Sequence, residues 1–213
     1  MALWVDNTEQ ALKKNKIALL VRYGAYGDMI IITPVIQRLK DLGYYIILNT
    51  SKRGLEVFKH DDRIDEFIEH KTDVPLDALS DYWDEMKKEV KHDLFINFSE
   101  SIECNVALHP RCPVYIYPKQ ERYAKGNRNY YDASNVWSGV EGCETLPSLQ
   151  FTQDEEKQVR GLIKEEKYNI VWCLSGSGKN KAYPWTDYVM GETIKKYPDV
   201  HFITIGDNRC QIL

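Results

Sequence analysis

An apolar run wide enough for a bilayer, a Cys-x-x-Cys pair and a His-Glu-x-x-His segment are all missing from this sequence, and each absence closes a class of explanation. A membrane-spanning helix needs about 20 consecutive apolar residues, and nothing here approaches that. The five cysteines, Cys104, Cys112, Cys143, Cys173 and Cys210, are odd in number and scattered, so neither a disulfide framework nor a zinc site is expected. The five histidines, His60, His70, His92, His109 and His201, show no ligand spacing, and no metal is expected. A formal net charge of -4 argues against a nucleic-acid groove, which needs clustered Lys and Arg. The start, Met1-Ala2-Leu3-Trp4-Val5-Asp6, turns polar at once and lacks a basic region followed by an apolar stretch, so no signal peptide is read and a cytoplasmic location is expected. There is no repeat at a solenoid period and no low-complexity segment.

What remains is a chain of 213 residues, 43% hydrophobic and 28% charged, the balance of an ordinary globular protein. Lys16 to Tyr23 (KIALLVRY) is a compact apolar run closed by glycine, which predicts a buried parallel strand. Gly24-Ala25-Tyr26-Gly27 leads into Asp28 to Leu42, where Ile31, Val35, Ile36 and Leu39 recur at roughly helical spacing before Gly43. Pro34 leaves two openings for that helix: a start at Asp28 with a bend, or a start at Pro34 with Thr33 as cap. Tyr44 to Leu48, Asp93 to Phe98 and Val114 to Tyr117 read as further strands, with a helix over Leu79 to Val90. The alternation implies an α/β fold with a doubly wound sheet.

A helix is predicted from about Tyr131, and Leu146-Pro147-Ser148-Leu149 reads as an extended linker. The domain boundary is placed there, with residues 1–148 as one domain and 149–213 as the start of another. Thr152-Gln153-Asp154-Glu155 forms a capping box, predicting a helix to about Lys167. A second βαβ unit follows: strand Tyr168 to Leu174, helix Thr186 to Tyr197, strand Val200 to Ile205. Two parallel strands make no independent core, so the chain is expected to be a fragment or to be completed by something else.

Two loops carry candidate chemistry. Gly24-x-x-Gly27-Asp28 follows the first strand, where glycines let a ligand approach the backbone and a helix start offers free amides. A dinucleotide site would have glycine where Arg22 stands and an acidic ribose ligand where the second strand ends in Asn49-Thr50. The plain alternative for Asp28 is a helix N-cap. Ser175-Gly176-Ser177-Gly178-Lys179-Asn180-Lys181 lies at the later strand-to-helix turn and offers amides, hydroxyls and two cations to a diphosphate. A Walker A loop would need glycine in place of Cys173 and Ser or Thr in place of Asn180. The plain alternative is a polar surface turn.

Together the two loops resemble glycosyltransferase family 9, the heptosyltransferases of lipopolysaccharide core assembly. That family opens with a strand, G-x-x-G-D and T-P, matched by Gly24, Gly27, Asp28, Thr33 and Pro34. Its second domain opens with a strand, a small hydroxyl-rich loop and K-x-aromatic-P, matched by Ser175 to Gly178 and Lys181-Ala182-Tyr183-Pro184. The resemblance implies a GT-B fold, in which two Rossmann-like domains face across a cleft, and inverting transfer of a heptose-like sugar. Asp28 matches the catalytic base. Ser177 and Lys181 match the groups that hold the donor phosphates, supported by Ser175, Gly176 and Lys179, while Gly24, Gly27 and Thr33 belong to the acceptor-side loop. No cofactor and no metal are implied. The implied partners are an ADP-heptose-like donor and a glycan or lipopolysaccharide-core acceptor, with peripheral contact to a membrane surface and no nucleic acid.

The family's D-T-G-x-x-H segment is not among these residues, and its nucleoside-contacting acid falls near Asp207, so the whole active site is not expected within them. Two other readings compete. One is a catalytically silent binding or assembly module, and the other a nucleotide-sugar epimerase or dehydrogenase with a degenerate Rossmann loop. Because Asn caps a helix almost as well as Asp, capping alone predicts that Asp28→Asn leaves melting nearly unchanged.

Overall fold

The computed structural model of the chain describes residues 16–71, 74–99, 118–120, 129–144, 146–174 and 183–206. It divides into two compact units, Met1–Gln150 and Phe151–Leu213. Elements are numbered in chain order among the described residues.

In the first unit, β1 (Ile17–Arg22) is followed by a one-turn helix α1 (Tyr26–Ile30), α2 (Thr33–Asp41) and β2 (Tyr45–Thr50). Then come α3 (Lys52–Phe58), β3 (Glu66–Glu69), α4 (Leu79–Glu89), β4 (Leu94–Asn97) and α5 (Tyr130–Ser138). The sheet is parallel in the order β3-β2-β1-β4. All six residues of β1 are buried because it lies between two strands and under helices on both faces. Ala18 and Leu20 pack with Val35, Ile36 and Leu39 of α2, while Ile17, Leu19 and Val21 pack with Leu79, Trp83 and Met86 of α4. Each such Val, Leu, Ile or Met side chain taken from water contributes about 1.5–3 kcal/mol, which is why this strand reads so clearly in sequence.

The anticipated helix over Asp28 to Leu42 is two helices. Pro34 has no N–H for the carbonyl of Ile30 four residues earlier, and its ring crowds that carbonyl, so the helix breaks between Ile30 and Thr33. Thr33 is the first residue of α2 and Ile32 the cap. Two elements escaped the sequence pattern. In β3 only Ile68 is buried, and Glu66 and Glu69 bound the strand; α3 is seven residues long and contains Gly54. The strand expected over Val114 to Tyr117 lies outside the described residues.

In the second unit α6 (Gln153–Arg160) precedes β5 (Tyr168–Cys173), α7 (Thr186–Lys196) and β6 (Val200–Ile205), with β5 and β6 parallel. The capping box forms: Glu155 N donates to Thr152 Oγ1 at 3.2 Å and Thr152 N to Glu155 Oε2 at 3.0 Å. The helix ends at Arg160 rather than Lys167, since the chain must turn so that Asn169 can bond the 164–167 backbone. A two-stranded sheet buries little. Tyr168 and Val171 of β5 are 72% and 61% exposed, where their counterparts in β1 are closed off. Among the described residues no helix is long and apolar enough to cross a membrane.

Candidate active site

In this sheet β2 and β3 lie to one side of β1 and β4 to the other. Strand order reverses between β1 and β4, and the carboxyl ends of the strands at such a reversal are the usual ligand position in this kind of fold. The register places Val21 opposite Asn97, so Arg22 to Asp28 and Phe98 to Ser99 meet there. Tyr23 N donates to Ser99 Oγ at 2.8 Å, and Arg22 Nη1 to the carbonyl of Phe98 at 3.4 Å.

Asp28 stands beyond the carboxyl end of β1 with its carboxylate held from two sides. Arg22 Nη2 lies 2.9 Å from Oδ1, and the amide of Ala25 donates to Oδ2 at 2.7 Å. Arg22 Nε also donates to the carbonyl of Asp28 at 3.0 Å. Asp28 is not the N-cap of the plain alternative: Ala25 is, and Asp28 reaches back from the third helical position to the cap amide, while Ala25 has no acceptor to return. Capping uses only part of its capacity. A carboxylate has about four lone-pair sites, and the side chain of Asp28 is 34% exposed, against 0% for Arg22. A hydroxyl can still approach an oriented, charged oxygen.

Gly24 makes that orientation fit. Its φ of +114° suits glycine, and a Cβ there would lie 2.4 Å from Asp28 Oδ2. Gly27 differs: a Cβ at this exposed position would meet nothing within 4 Å, and the fold makes no demand for glycine. Thr33 is fully buried, donating to the carbonyl of Ile30 at 2.8 Å and accepting from Ser148 N at 3.1 Å.

Asn49 explains why no acidic ribose ligand ends β2. It is fully buried; its Oδ1 accepts from the Tyr23 hydroxyl, and its Nδ2 donates to Ile68 O at 3.1 Å and Tyr82 Oη at 3.3 Å. Trp83 Nε1 donates to the same Tyr23 hydroxyl at 2.9 Å, and His70 stacks on the Tyr23 ring with centroids 3.9 Å apart. Burial pushes the Tyr23 hydroxyl far above the ordinary tyrosine range, with the Trp83 hydrogen bond pulling the other way. This network joins the cluster on the α4 face of the sheet, with Leu79, Trp83 and Met86. Its amide is committed to the core.

Arg22 was legible in sequence only as a missing glycine. Its better signal was a cation ending an otherwise apolar strand, since a buried guanidinium requires an acidic partner nearby. The donor-side candidates Ser175, Gly176, Ser177, Lys179 and Lys181 lie outside the described residues, as does Asp207. Among the described residues no cluster of His, Cys, Asp and Glu could hold a metal ion.

No protein-family model and no curated protein matches the chain. In three dimensions it is similar to the glycosyl transferase family 9 protein from Veillonella parvula, with a TM-score of 0.60 and 15% identity over 92% of this chain and 65% of that one. The fold is that of a family 9 glycosyltransferase. It is similar also to ADP-heptose lps heptosyltransferase II of E. coli (TM-score 0.50, 14% identity, 91% of this chain, 65% of that one). A third likeness is to E. coli heptosyltransferase WaaC with ADP-2-deoxy-2-fluoro heptose (TM-score 0.53, 12% identity, 91% of this chain, 70% of that one). The chain thus spans about two thirds of the length of these proteins. Within the family 9 fold it supplies a Rossmann-like first unit and two parallel strands of a second, as the alternation of its elements implied.

Proposed function

We propose that this chain belongs to an inverting glycosyltransferase that moves a heptose-like sugar from an ADP-type diphosphate donor to a glycan or lipopolysaccharide-type acceptor. The observation that carries the reading is the Asp28 carboxylate, oriented by Arg22 and the Ala25 amide yet one-third exposed at the carboxyl end of β1. In a family 9 fold this supports a general base for the acceptor hydroxyl.

The chemistry follows from that placement. Asp28 takes the hydroxyl proton as the acceptor oxygen forms its bond to the anomeric carbon. The bond from that carbon to the diphosphate oxygen breaks on the opposite face, with its electron pair leaving on the diphosphate, and the anomeric configuration inverts. Ser177 and Lys181, aided by Ser175, Gly176 and Lys179, stabilise the departing charge in this reading. The reaction site is cytoplasmic, beside a membrane surface that presents the acceptor.

Titration of ADP into the full chain tests the donor side. Lys181→Ala should weaken binding by about 1.5–3 kcal/mol, the range for hydrogen bonds to charged groups. Equal affinity for variant and parent would remove the phosphate role of the loop. Transfer from a panel of nucleotide sugars, with product configuration read by NMR, tests the reaction. ADP binding without any transfer by a protein that holds the whole active site would favour the silent binding module instead.

A further inference from the structure

The T-P pair after the Asp28 turn has a physical job that neither ligand binding nor helix capping describes. In an unbroken helix the carbonyl of Ile30 would accept the N–H of residue 34, but residue 34 is proline and has none. Thr33 Oγ1 takes over that bond, donating to Ile30 O at 2.8 Å. The same oxygen accepts the amide of Ser148 at 3.1 Å. One fully buried hydroxyl therefore joins the last residue of α1, the helix that carries Asp28, to the segment by which the chain leaves the first unit.

That segment is held from its other side by Arg63. Its guanidinium is 4% exposed as a residue, pairs with the buried Asp61, and donates through Nη1 to Ser148 Oγ at 2.6 Å and through Nη2 to Ser148 O at 3.1 Å. Gln150 continues the clamp, donating to Asp62 Oδ1 at 2.6 Å and accepting from Asp62 N at 3.3 Å. Ser148 is an exposed residue, yet its amide, hydroxyl and carbonyl are each bonded to a buried side chain. Two buried polar side chains devoted to one exposed residue are more than a loop needs simply to lie on a surface, because each must be kept fully satisfied.

We infer that Thr33 is a positioning residue for Asp28: through its shared hydroxyl, docking of Ser148 to Gln150 by Arg63 and Asp62 sets the Asp28 turn. The inference rests on Asp28 being the base. Movement of the segment at the exit of the first unit then reaches the carboxylate through one side chain, and release of Ser148 leaves the Ile30 carbonyl held by a hydroxyl free to rotate. Thr33 touches neither substrate nor the reacting atoms in this arrangement.

Hydrogen exchange on the full chain tests the coupling without requiring catalysis. Arg63→Lys, which alters a residue bonded to Ser148, Asp61 and Gln37, should speed amide exchange at Ser148 and also over Asp28 to Ile31, by about five- to tenfold, the factor for one net hydrogen bond. Thr33→Val should do the same, and Thr33→Ser, which keeps the hydroxyl, should restore the parent rates. Should Thr33→Val fail to fold, Ser148→Ala removes a hydroxyl from an exposed residue and should give a smaller change of the same sign at both places. Acceleration at Ser148 with unaltered exchange over Asp28 to Ile31 would overturn the inference. In transfer assays, Arg63→Lys should lower kcat about five- to tenfold on the same scale with the donor KM unchanged. A lower melting temperature with unchanged kcat would make Arg63 and Thr33 scaffold only. Coupled exchange in the chain, with no sugar transfer by a protein that holds the whole active site, would instead sink the proposed function and leave the coupling standing.

Discussion

The guanidinium of Arg22, closed off from solvent, lies 2.9 Å from the carboxylate of Asp28 six residues later. A cation at the end of a buried strand has no water to solvate it, so the two residues form a single electrostatic unit. The consequence for Asp28→Asn departs from the expectation drawn from capping alone. Asn keeps the bond to Ala25 but takes away the negative charge that faces Arg22 Nη2. The variant should lose about 1–3 kcal/mol of stability, below the range for breaking a fully buried pair because Asp28 is one-third exposed. In a protein that holds the whole active site, transfer should fall by at least about a hundredfold. Urea denaturation and a transfer assay on one sample separate the two effects, and full turnover would leave Asp28 a purely structural residue.

The two glycines of the loop should respond in opposite ways to alanine. Gly24→Ala places a methyl 2.4 Å from Asp28 Oδ2 at a φ of +114°, so the carboxylate must leave the Ala25 amide and stability should drop by about 1–3 kcal/mol. Gly27→Ala meets nothing and lies in a helix, so stability should stay level or rise by about 0.5–1 kcal/mol. Loss of transfer in a fully stable Gly27→Ala protein would mean that the space above Gly27 belongs to a ligand; normal transfer would show it empty.

Asn49→Asp installs the acid that a dinucleotide fold would place at the end of β2. Here it should not create a cofactor site. It removes the donations to Ile68 and Tyr82 and buries a carboxylate, so a loss of about 2–4 kcal/mol and no gain in NAD affinity are expected. Calorimetry detecting NAD binding by the variant would contradict the assignment of Asn49 to the core.

Stability should fall as pH rises through the unfolded tyrosine range, near about 10. Burial raises Tyr23, and also Tyr82, so above that pH the unfolded chain releases protons that the folded chain retains. The unfolded state then binds fewer protons and the slope of unfolding free energy with pH is negative. Urea midpoints between about pH 9 and 11 should show it on that tyrosine scale. Tyr23→Phe should be less stable at neutral pH but show a shallower slope, with Tyr82 keeping part of it. An unchanged slope would place the titration elsewhere.

Much of the fold was legible because its determinants are local or periodic. The run Ile17 to Arg22 is apolar at every position but the last, and only a strand covered on both faces uses such a run. The capping box at Thr152 is a four-residue pattern and formed as read. The short strand Glu66 to Glu69 was not legible, since one buried residue carries no period, and pairing with Asn49 and Thr50 is what makes it a strand.

The sequence by itself determined the α/β order, the place of Asp28 after the first strand, and the break that Pro34 imposes, because these depend on steric and hydrogen-bonding rules acting over a few residues. Tertiary structure alone decided what those residues touch. Arg22 became the partner of Asp28, Asn49 the centre of a buried network with Tyr23 and Trp83, and Thr33 the meeting point of Ile30 and Ser148, residues 118 positions apart by their numbers, 148 less 30. Such contacts depend on which chain segments the parallel sheet brings together at its carboxyl end. No local pattern encodes that, because the bonds that satisfy each buried polar group come from residues far away along the chain.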